Sequence, residues 1–244
     1  MITRNMSMCE AVLENHRLLP LFPRFNIRLG FGEMSVEEVC SHFEVNTEFF
    51  LEIANAYLDV DYIPHENISE FPLDSLIQYL TRTHSYYLEA ALPRVESKIR
   101  RLLEPSALSS RERELVTGFF NDYKKEFLDH ISNEEDVVIP YIWELQKQSR
   151  RENPGTAFLE SMAGYSIRDF AREHDPLQYS LENLSRLIIK KLPPFDDFDL
   201  CYEVLGDLAS LVADLIDHAN MEDRILVPRV AELEQEITRK KKRK

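Results

Sequence analysis

The chain has 244 residues, of which 44% are hydrophobic and 30% are charged, and its formal net charge is −14. This length and composition are typical of a folded, helix-rich protein with a sizeable core, and they exclude a disordered chain or a peptide-sized scaffold. The acidic balance disfavours nucleic-acid binding by the body of the protein, because contacts to phosphate require positive charge. No nucleic-acid partner is therefore expected.

The N-terminal residues lack the apolar core of a secretion signal, and no apolar run approaches the ~18 residues of a membrane span. The sequence therefore predicts a cytoplasmic protein with no membrane partner. The three cysteines, Cys9, Cys40 and Cys201, are widely spaced and form no Cys-x-x-Cys pair. They are predicted to be packing residues rather than members of a disulfide framework or a thiolate zinc site.

Residues 1–62 are predicted to form a small helical N-terminal domain. Its pattern indicates three short helices, broken by the prolines of residues 19–23 and the glycines of residues 29–32. Ser35 and Asn46 are the predicted N-caps of two of these helices. Each is followed first by acidic residues and then by apolar residues at helical spacing.

Beyond a predicted linker at residues 60–69, apolar residues recur at intervals of three and four along four long segments. These predicted helices cover residues 72–103, 109–150, 156–192 and 198–239. Short connections between them favour antiparallel neighbours. The expected fold class is therefore all-α, with an antiparallel up-down four-helix bundle over residues 70–239 after the small helical domain. Residues 240–244 form a basic tail, which is predicted to be a solvated helix end.

One phrase of the sequence occurs twice, once in the second and once in the fourth predicted long helix. The first copy contains His130 and Glu134, and the second contains His218 and Glu222. In both copies an Asp precedes the His, the Glu follows the His after four residues, and a Pro follows the Glu after six. Because four residues make about one helical turn, the His and Glu of each copy share a helix face and can bind one metal.

The first and third predicted long helices carry one candidate ligand each, His84 and His174. Nearly the same number of residues separates His84 from His130 as separates His174 from His218. In a helix hairpin with a short turn, such separations return the chain to about the same height along the bundle. Six metal ligands are therefore predicted: His84, His130, Glu134, His174, His218 and Glu222. Imidazoles and carboxylates in a bundle core favour a pair of iron ions.

Several neighbours of these residues receive a structural rather than a functional interpretation. Asp129, Asp217 and Glu173 adjoin the histidines, but successive helix residues point about 100° apart, so they are predicted to be solvated carboxylates. Pro140 and Pro228 are predicted to bend their helices. Ordinary core positions are predicted for Tyr86, Tyr87, Tyr123, Tyr165 and Tyr179. The histidines without a counterpart in the repeat are His16, His42 and His65.

The repeated residues resemble those of the hemerythrin-like (HHE) cation-binding family, in which each repeat carries a His on one helix and His-x-x-x-Glu on the next. The resemblance covers about residues 72–238 and implies a hemerythrin-like bundle. It also implies a di-iron centre of two iron ions, bridged by an oxo or hydroxo group. In that centre the four histidines would be terminal ligands, and Glu134 and Glu222 would be bridges. Dioxygen or nitric oxide is the small ligand that the resemblance implies.

More narrowly, the arrangement resembles the Repair of Iron Centres proteins, in which a small N-terminal domain precedes such a bundle. This chain has Leu29 and Gly30 where those proteins have adjacent cysteines, and Cys40 alone cannot replace a pair. No thiol chemistry is therefore expected in the N-terminal domain. The resemblance implies a role in nitrosative or oxidative stress, in which iron-centre proteins are repaired through iron delivery or nitric oxide chemistry.

Two other functions remain open from the sequence. One is reversible binding or sensing of dioxygen or nitric oxide without turnover, although no fifth histidine occurs at repeat spacing. The other is a metal-stapled interaction module, in which the N-terminal domain or the basic tail binds a partner. The sequence assigns no catalytic residue, and it is compatible with a homodimer. It contains no nucleotide or flavin fingerprint, so electrons for any reduction are expected from outside the chain.

Overall fold

The computed structural model describes residues 1–59, 62, 72–104, 108–162, 164–173 and 177–242. All regular elements among these residues are helical, which confirms the predicted all-α class, and one isolated antiparallel bridge joins Ser7 to Ser35. None of the described helices is both long and apolar enough to cross a bilayer. The chain divides into two compact units, Met1–Tyr86 and Tyr87–Lys244. Most of the predicted linker lies outside the described residues, so the predicted domain division at residues 62 and 70 stays a prediction.

The N-terminal region contains more helical segments than the three that were predicted. They are α1 (Met8–Glu14), a 3-10 turn (His16–Leu18), α2 (Leu21–Arg24), α3 (Val36–His42) and α4 (Thr47–Leu58). The extra helix, α2, lies where prolines predicted only a break. Pro20 precedes α2 with a φ of −64°, and proline is well tolerated at a helix start because an N–H there has no partner within the helix. Gly30 and Gly32, with φ of 101° and 57°, do separate α2 from α3.

Both predicted N-caps of this region are confirmed. The Ser35 hydroxyl accepts a hydrogen bond from the Glu38 backbone N–H at 3.3 Å, and the Glu38 carboxylate accepts one from the Ser35 backbone N–H at 2.8 Å. The Asn46 side-chain oxygen accepts a hydrogen bond from the Phe49 backbone N–H at 2.9 Å. These caps satisfy N–H groups that have no partner within their helices, and each contributes about 1 kcal/mol to stability.

The first, second and fourth predicted long helices are confirmed as continuous helical stretches, each with one π-helical turn inside it. The first comprises α5 (Leu73–Tyr86), π1 (Tyr87–Ala91) and α6 (Leu92–Leu103). The second comprises α7 (Ser110–Asn133), π2 (Glu134–Val138) and α8 (Ile139–Ser149). The fourth comprises α12 (Phe198–Met221), π3 (Glu222–Leu226) and α13 (Val227–Lys242). The predicted basic tail therefore begins as helix and continues α13 as far as Lys242.

The third predicted long helix is not continuous, and on this point the prediction was wrong. It consists of α9 (Thr156–Ser161), α10 (Ile167–Glu173) and α11 (Gln178–Lys191). Gly164, a poor helix former, lies between the first two segments. The Ser166 hydroxyl then accepts a hydrogen bond from the Asp169 backbone N–H at 3.3 Å, as the N-cap of a new helix does.

Within the unit Tyr87–Lys244, the helices pack side by side as expected for an antiparallel bundle. Helix α6 packs against α7 and α12, α11 packs against the same two helices, and α13 packs against α8 and α10. Polar contacts also join these helices. The Lys98 ammonium lies 2.9 Å from Asp207 on α12, and the Tyr141 hydroxyl on α8 donates to Glu234 on α13 at 2.7 Å. The predicted four-helix bundle is therefore present, with a segmented third helix.

The π turns explain how the long helices accommodate proline. Pro140 and Pro228 have no backbone N–H, and a proline ring inside an α-helix clashes with the carbonyl group four residues earlier. In the structure, the residue before each proline donates its N–H five residues back: Ile139 to the Glu134 carbonyl and Val227 to the Glu222 carbonyl. The wider turn relieves the clash without ending the helix. The residues at these two widened turns include both predicted bridging glutamates.

The three cysteines are expected to differ sharply in reactivity. Cys9 is exposed, contrary to the predicted packing role, whereas Cys40 is buried as predicted and Cys201 is partly buried. Burial raises the pKa of the Cys40 thiol to about 12, although a hydrogen bond with Thr47 opposes the shift. The nucleophilic thiolate of Cys40 is therefore scarce at pH 8. With Ellman's reagent we expect Cys9 to react rapidly and Cys40 to react only after unfolding.

Single substitutions show which thiol is responsible for the fast phase of this reaction. Cys9→Ser is expected to remove the fast phase of the reaction, and Cys40→Ser is expected to leave that phase intact. Loss of the fast phase in Cys40→Ser would show that this thiol is accessible, and the contradiction would extend to the packing assigned to α3.

Candidate metal centre

Each copy of the repeated phrase places its His and Glu in direct contact. On the second long helix, His130 Nε2 lies 2.8 Å from Glu134 Oε1. On the fourth, His218 Nε2 lies 3.2 Å from Glu222 Oε1. The spacing of one helical turn produces both contacts, as the sequence predicts. Each glutamate is also the first residue of a π turn, so the backbone widens just after it.

Within the unit Tyr87–Lys244, the structure brings three of the six predicted ligand residues together. Glu134, His218 and Glu222 each offer one donor atom, and these atoms lie within 4.8 Å of one another. These three side chains are buried, and so is that of His84. His84 lies in the last turn of α5, a helix that continues without a break into π1. His174 lies outside the described residues, so its position stays a prediction.

The fifth described candidate, His130, reaches the cluster through Glu134. Glu134 presents its two oxygens to two different histidines: Oε1 lies 2.8 Å from His130 Nε2, and Oε2 lies 3.9 Å from His218 Nε2. His130 is only partly buried, whereas Glu134 is 2% exposed. Glu134 therefore connects the two copies of the repeat, and His130 lies on the more open side of it.

The two buried carboxylates require positive charge close to them. Glu134 and Glu222 are 2% and 1% exposed, and carboxylates so far from water are stable as anions only beside a cation or several hydrogen-bond donors. Burial alone would lower the pKa of His218. Its contacts with Glu222 and Glu134 outweigh burial and raise the pKa of His218 to about 10. The cluster therefore favours a cation between its carboxylates.

The donor atoms suit a first-row transition metal. Imidazole nitrogens and carboxylate oxygens together fit borderline ions such as iron, zinc, manganese and copper, whereas calcium and magnesium prefer all-oxygen sites. The buried location in the middle of a helical bundle is also where carboxylate-bridged metal pairs are built. The residues present therefore fit a metal ion, and the bound ion would supply the positive charge that the carboxylates require.

Residues beside the cluster differ between the two copies of the repeat. Asp129, next to His130, is exposed as predicted. Asp217, next to His218, is only 5% exposed and so departs from the predicted solvated position. More residues of α12 than of α7 are buried, and Asp214 is one of them. Hydrophobic spacing within one helix does not show how much of its surface the rest of the fold covers, so the sequence did not distinguish the two aspartates.

Tyr87 was predicted only as a core aromatic, and it has a more specific position. It is the first residue of π1, as Glu134 is of π2 and Glu222 is of π3. Its ring contacts the His218 ring at a centroid distance of 5.7 Å. A signal for this position exists in the sequence, because Pro93 follows Tyr87 after six residues, as a proline follows each glutamate. The other tyrosines vary: Tyr123 is buried, whereas Tyr179 is 58% exposed and is not a core residue.

Comparison with known families agrees with this geometry. Residues 75–230, more than half of the chain, match the hemerythrin HHE cation-binding domain. The chain therefore belongs to the hemerythrin HHE cation-binding family, and the resemblance seen in the sequence is confirmed at the level of this family. No curated protein shows significant similarity to the chain. Domains of this family bind metal ions and small ligands such as dioxygen.

Metal binding is expected to stabilise the folded protein. An ion that binds only the native state adds about 2.7 kcal/mol of stability at a free concentration 100 times its dissociation constant. For a chain of this length the midpoint of thermal unfolding then rises by roughly 5–10 °C. We expect anaerobic ferrous iron to produce such a rise in differential scanning calorimetry, and a chelator to reverse it.

A matched pair of histidine variants tests where the ion binds. His218→Ala removes a buried donor of the cluster, and its rise with iron is expected to be small. His42→Ala removes an exposed histidine of α3 and is expected to retain the full rise. Each variant is compared with its own metal-free form. An equal rise in both variants would contradict binding at the cluster.

Proposed function

We propose that this protein is a non-haem di-iron protein. In this proposal the terminal ligands are His84, His130, His174 and His218, and the bridging ligands are Glu134 and Glu222. The observation that carries the proposal is the position of Glu134 between His130 and His218, with one carboxylate oxygen facing each imidazole. A carboxylate placed in this way can bind two ions at once, one through each oxygen.

The internal repeat supports two ions rather than one. Each copy supplies one His and one Glu from a single helix turn, and a preceding helix supplies another His. Two equivalent half-sites therefore follow from the sequence. Structural zinc, by contrast, favours a closed set of four ligands around one ion. Iron is the metal that best fits two imidazoles per ion with shared carboxylates.

The protein residues have three tasks at such a centre. The histidines and glutamates bind and space the ions, the surrounding helices exclude bulk water, and the carboxylates balance the metal charge. Six protein donors for two ions leave coordination positions open to a small molecule. Bound iron would supply redox chemistry at those positions, with dioxygen or nitric oxide as the small ligand.

The cellular role proposed is a response to nitrosative or oxidative stress, in which damaged iron centres of client proteins are repaired through iron delivery or nitric oxide chemistry. This role rests on the resemblance to the Repair of Iron Centres proteins. The cysteines of the N-terminal region indicate which part of the protein would carry the chemistry of that role. Its only buried thiol, among the described residues, is Cys40, whose pKa burial raises to about 12, and no cysteine adjoins it. In this proposal the chemistry therefore depends on the metal centre rather than on thiols.

Substitution of Glu134 tests the bridging assignment. Glu134→Gln keeps the size of the side chain and removes the charge that bridging requires, so iron content is expected to fall from two ions per chain towards one. Inductively coupled plasma mass spectrometry on anaerobically loaded protein gives this ratio. Asp129→Asn, an exposed change one residue from His130, is the control and is expected to keep the full iron content. Unchanged occupancy in Glu134→Gln would exclude the bridging role.

A spectroscopic experiment separates this function from the two alternatives. Protein that has been loaded with iron and reduced under anaerobic conditions is mixed with nitric oxide and, in a separate sample, with dioxygen. Net consumption over many equivalents with an electron donor present indicates turnover, which repair through nitric oxide chemistry requires. A spectrum that reverses when the gas is removed indicates carriage or sensing. The absence of any spectral response would indicate that the metal only stabilises the bundle, and it would contradict the proposed function.

A further inference from the structure

Three π turns share one sequence signature, but only two of them begin with a carboxylate. Each π turn begins six residues before a proline: Pro140 for π2, Pro228 for π3 and Pro93 for π1. The residues at the first position are Glu134, Glu222 and Tyr87 respectively. All three side chains belong to the first residue of a π turn. Relative to the turn and its proline, Tyr87 therefore occupies the same position in the first long helix as the glutamates occupy in the other two. This equivalence identifies Tyr87 as a residue of the site.

The contacts of Tyr87 agree with that register. Its side chain is 1% exposed, and its ring meets the His218 ring at 5.7 Å with an interplanar angle of 83°. The ring also contacts Phe127 edge to face at 5.6 Å. Its hydroxyl donates to the backbone carbonyl of Asp214 at 3.1 Å. Tyr87 is therefore held at its hydroxyl end by α12 and along its ring by α7.

Together, these contacts bear on the orientation of the His218 imidazole. Asp214 lies one helical turn before His218, so the Tyr87 hydroxyl is anchored to the same turn of α12 that carries His218. The second side-chain torsion of histidine has no sharp preference, so its ring plane depends on its neighbours. An aromatic edge-to-face contact favours one plane over the others. Tyr87 thus restrains both the position and the ring plane of His218.

We propose that Tyr87 is a positioning residue that fixes the His218 ring in the orientation required for metal binding. This inference rests on the proposed metal-binding function. A phenol suits the task because it fills the register of a glutamate without placing a further carboxylate beside Glu134 and Glu222. Residues that orient a metal-bound imidazole typically change metal affinity 10- to 100-fold when they are replaced.

The test uses cobalt(II) as a probe, because its visible ligand-field bands report the geometry around the ion. Metal-free protein is titrated with cobalt(II) in competition with a chelator, and each variant is compared with the wild type. Tyr87→Leu removes both the ring contact and the hydroxyl, and it is expected to weaken cobalt binding by about 10- to 100-fold and to shift the bands. Tyr87→Phe keeps the ring, and it is expected to weaken binding by about fivefold, the effect of one hydrogen bond.

Tyr123 supplies the matched control. It is also 1% exposed, and its ring contacts the same Phe127 at 5.8 Å, but it lies two helical turns before His130 on α7. Tyr123→Leu is expected to lower thermal stability as Tyr87→Leu does, while it leaves cobalt affinity within about threefold of the wild type and the bands unchanged. The contrast separates positioning of His218 from general loss of core packing.

The outcomes distinguish this inference from the proposed function. Wild-type protein that binds no cobalt and no iron would overturn both. Wild-type protein that binds, with unchanged affinity and bands in both Tyr87 variants, would overturn the positioning role alone. Equal losses in Tyr87→Leu and Tyr123→Leu would also overturn it. If circular dichroism shows that Tyr87→Leu has lost its helices, Tyr87→Phe decides alone, and an unchanged affinity and spectrum in that variant overturns the proposal.

Discussion

The presence of two carboxylates in the interior of a helical bundle is the constraint on which the rest of this structure depends. The transfer of an isolated carboxylate from water to the protein interior costs several kcal/mol of free energy, and two carboxylates close together also repel each other. Glu134 and Glu222 are nevertheless almost completely buried, and both face His218. The bundle therefore has to bring positive charge to them, as a protonated imidazole or as metal ions. His218 lies beside both carboxylates and can supply that charge.

The proline-associated π turns meet a geometric requirement that ordinary α-helices do not. A helix that carries a buried Glu must also continue to bury apolar residues on the same side beyond it. At π2 and π3 the wider turn starts at the glutamate and ends just before the helix resumes, and Val138 and Leu226 on these turns are still buried. A proline that would break an ordinary helix thus becomes part of the support of the site. The prolines act through the backbone, since the residue before each proline donates its backbone N–H to the backbone carbonyl of the glutamate.

The sequence was sufficient to predict the all-α bundle, three of its four long helices, and the contact of His with Glu in each copy of the repeat. Those features depend on local periodicity, which a single helix contains in full. The features that it missed depend on several helices together. The break near Gly164 interrupts an otherwise regular apolar pattern over only a few residues, so the pattern did not reveal it. Asp129 and Asp217 have the same sequence context but different burial, because more of the residues of α12 than of α7 are buried.

The support of the two glutamates also defines what would have to be moved to build this centre in another scaffold. The six proposed ligand residues, placed on straight helices, would lack the widened turn that follows each glutamate. The smallest portable unit is the segment His-x-x-x-Glu followed by five residues and a proline, from His130 to Pro140 or from His218 to Pro228. A designer who copied only the ligands would reproduce the composition of the site without its backbone.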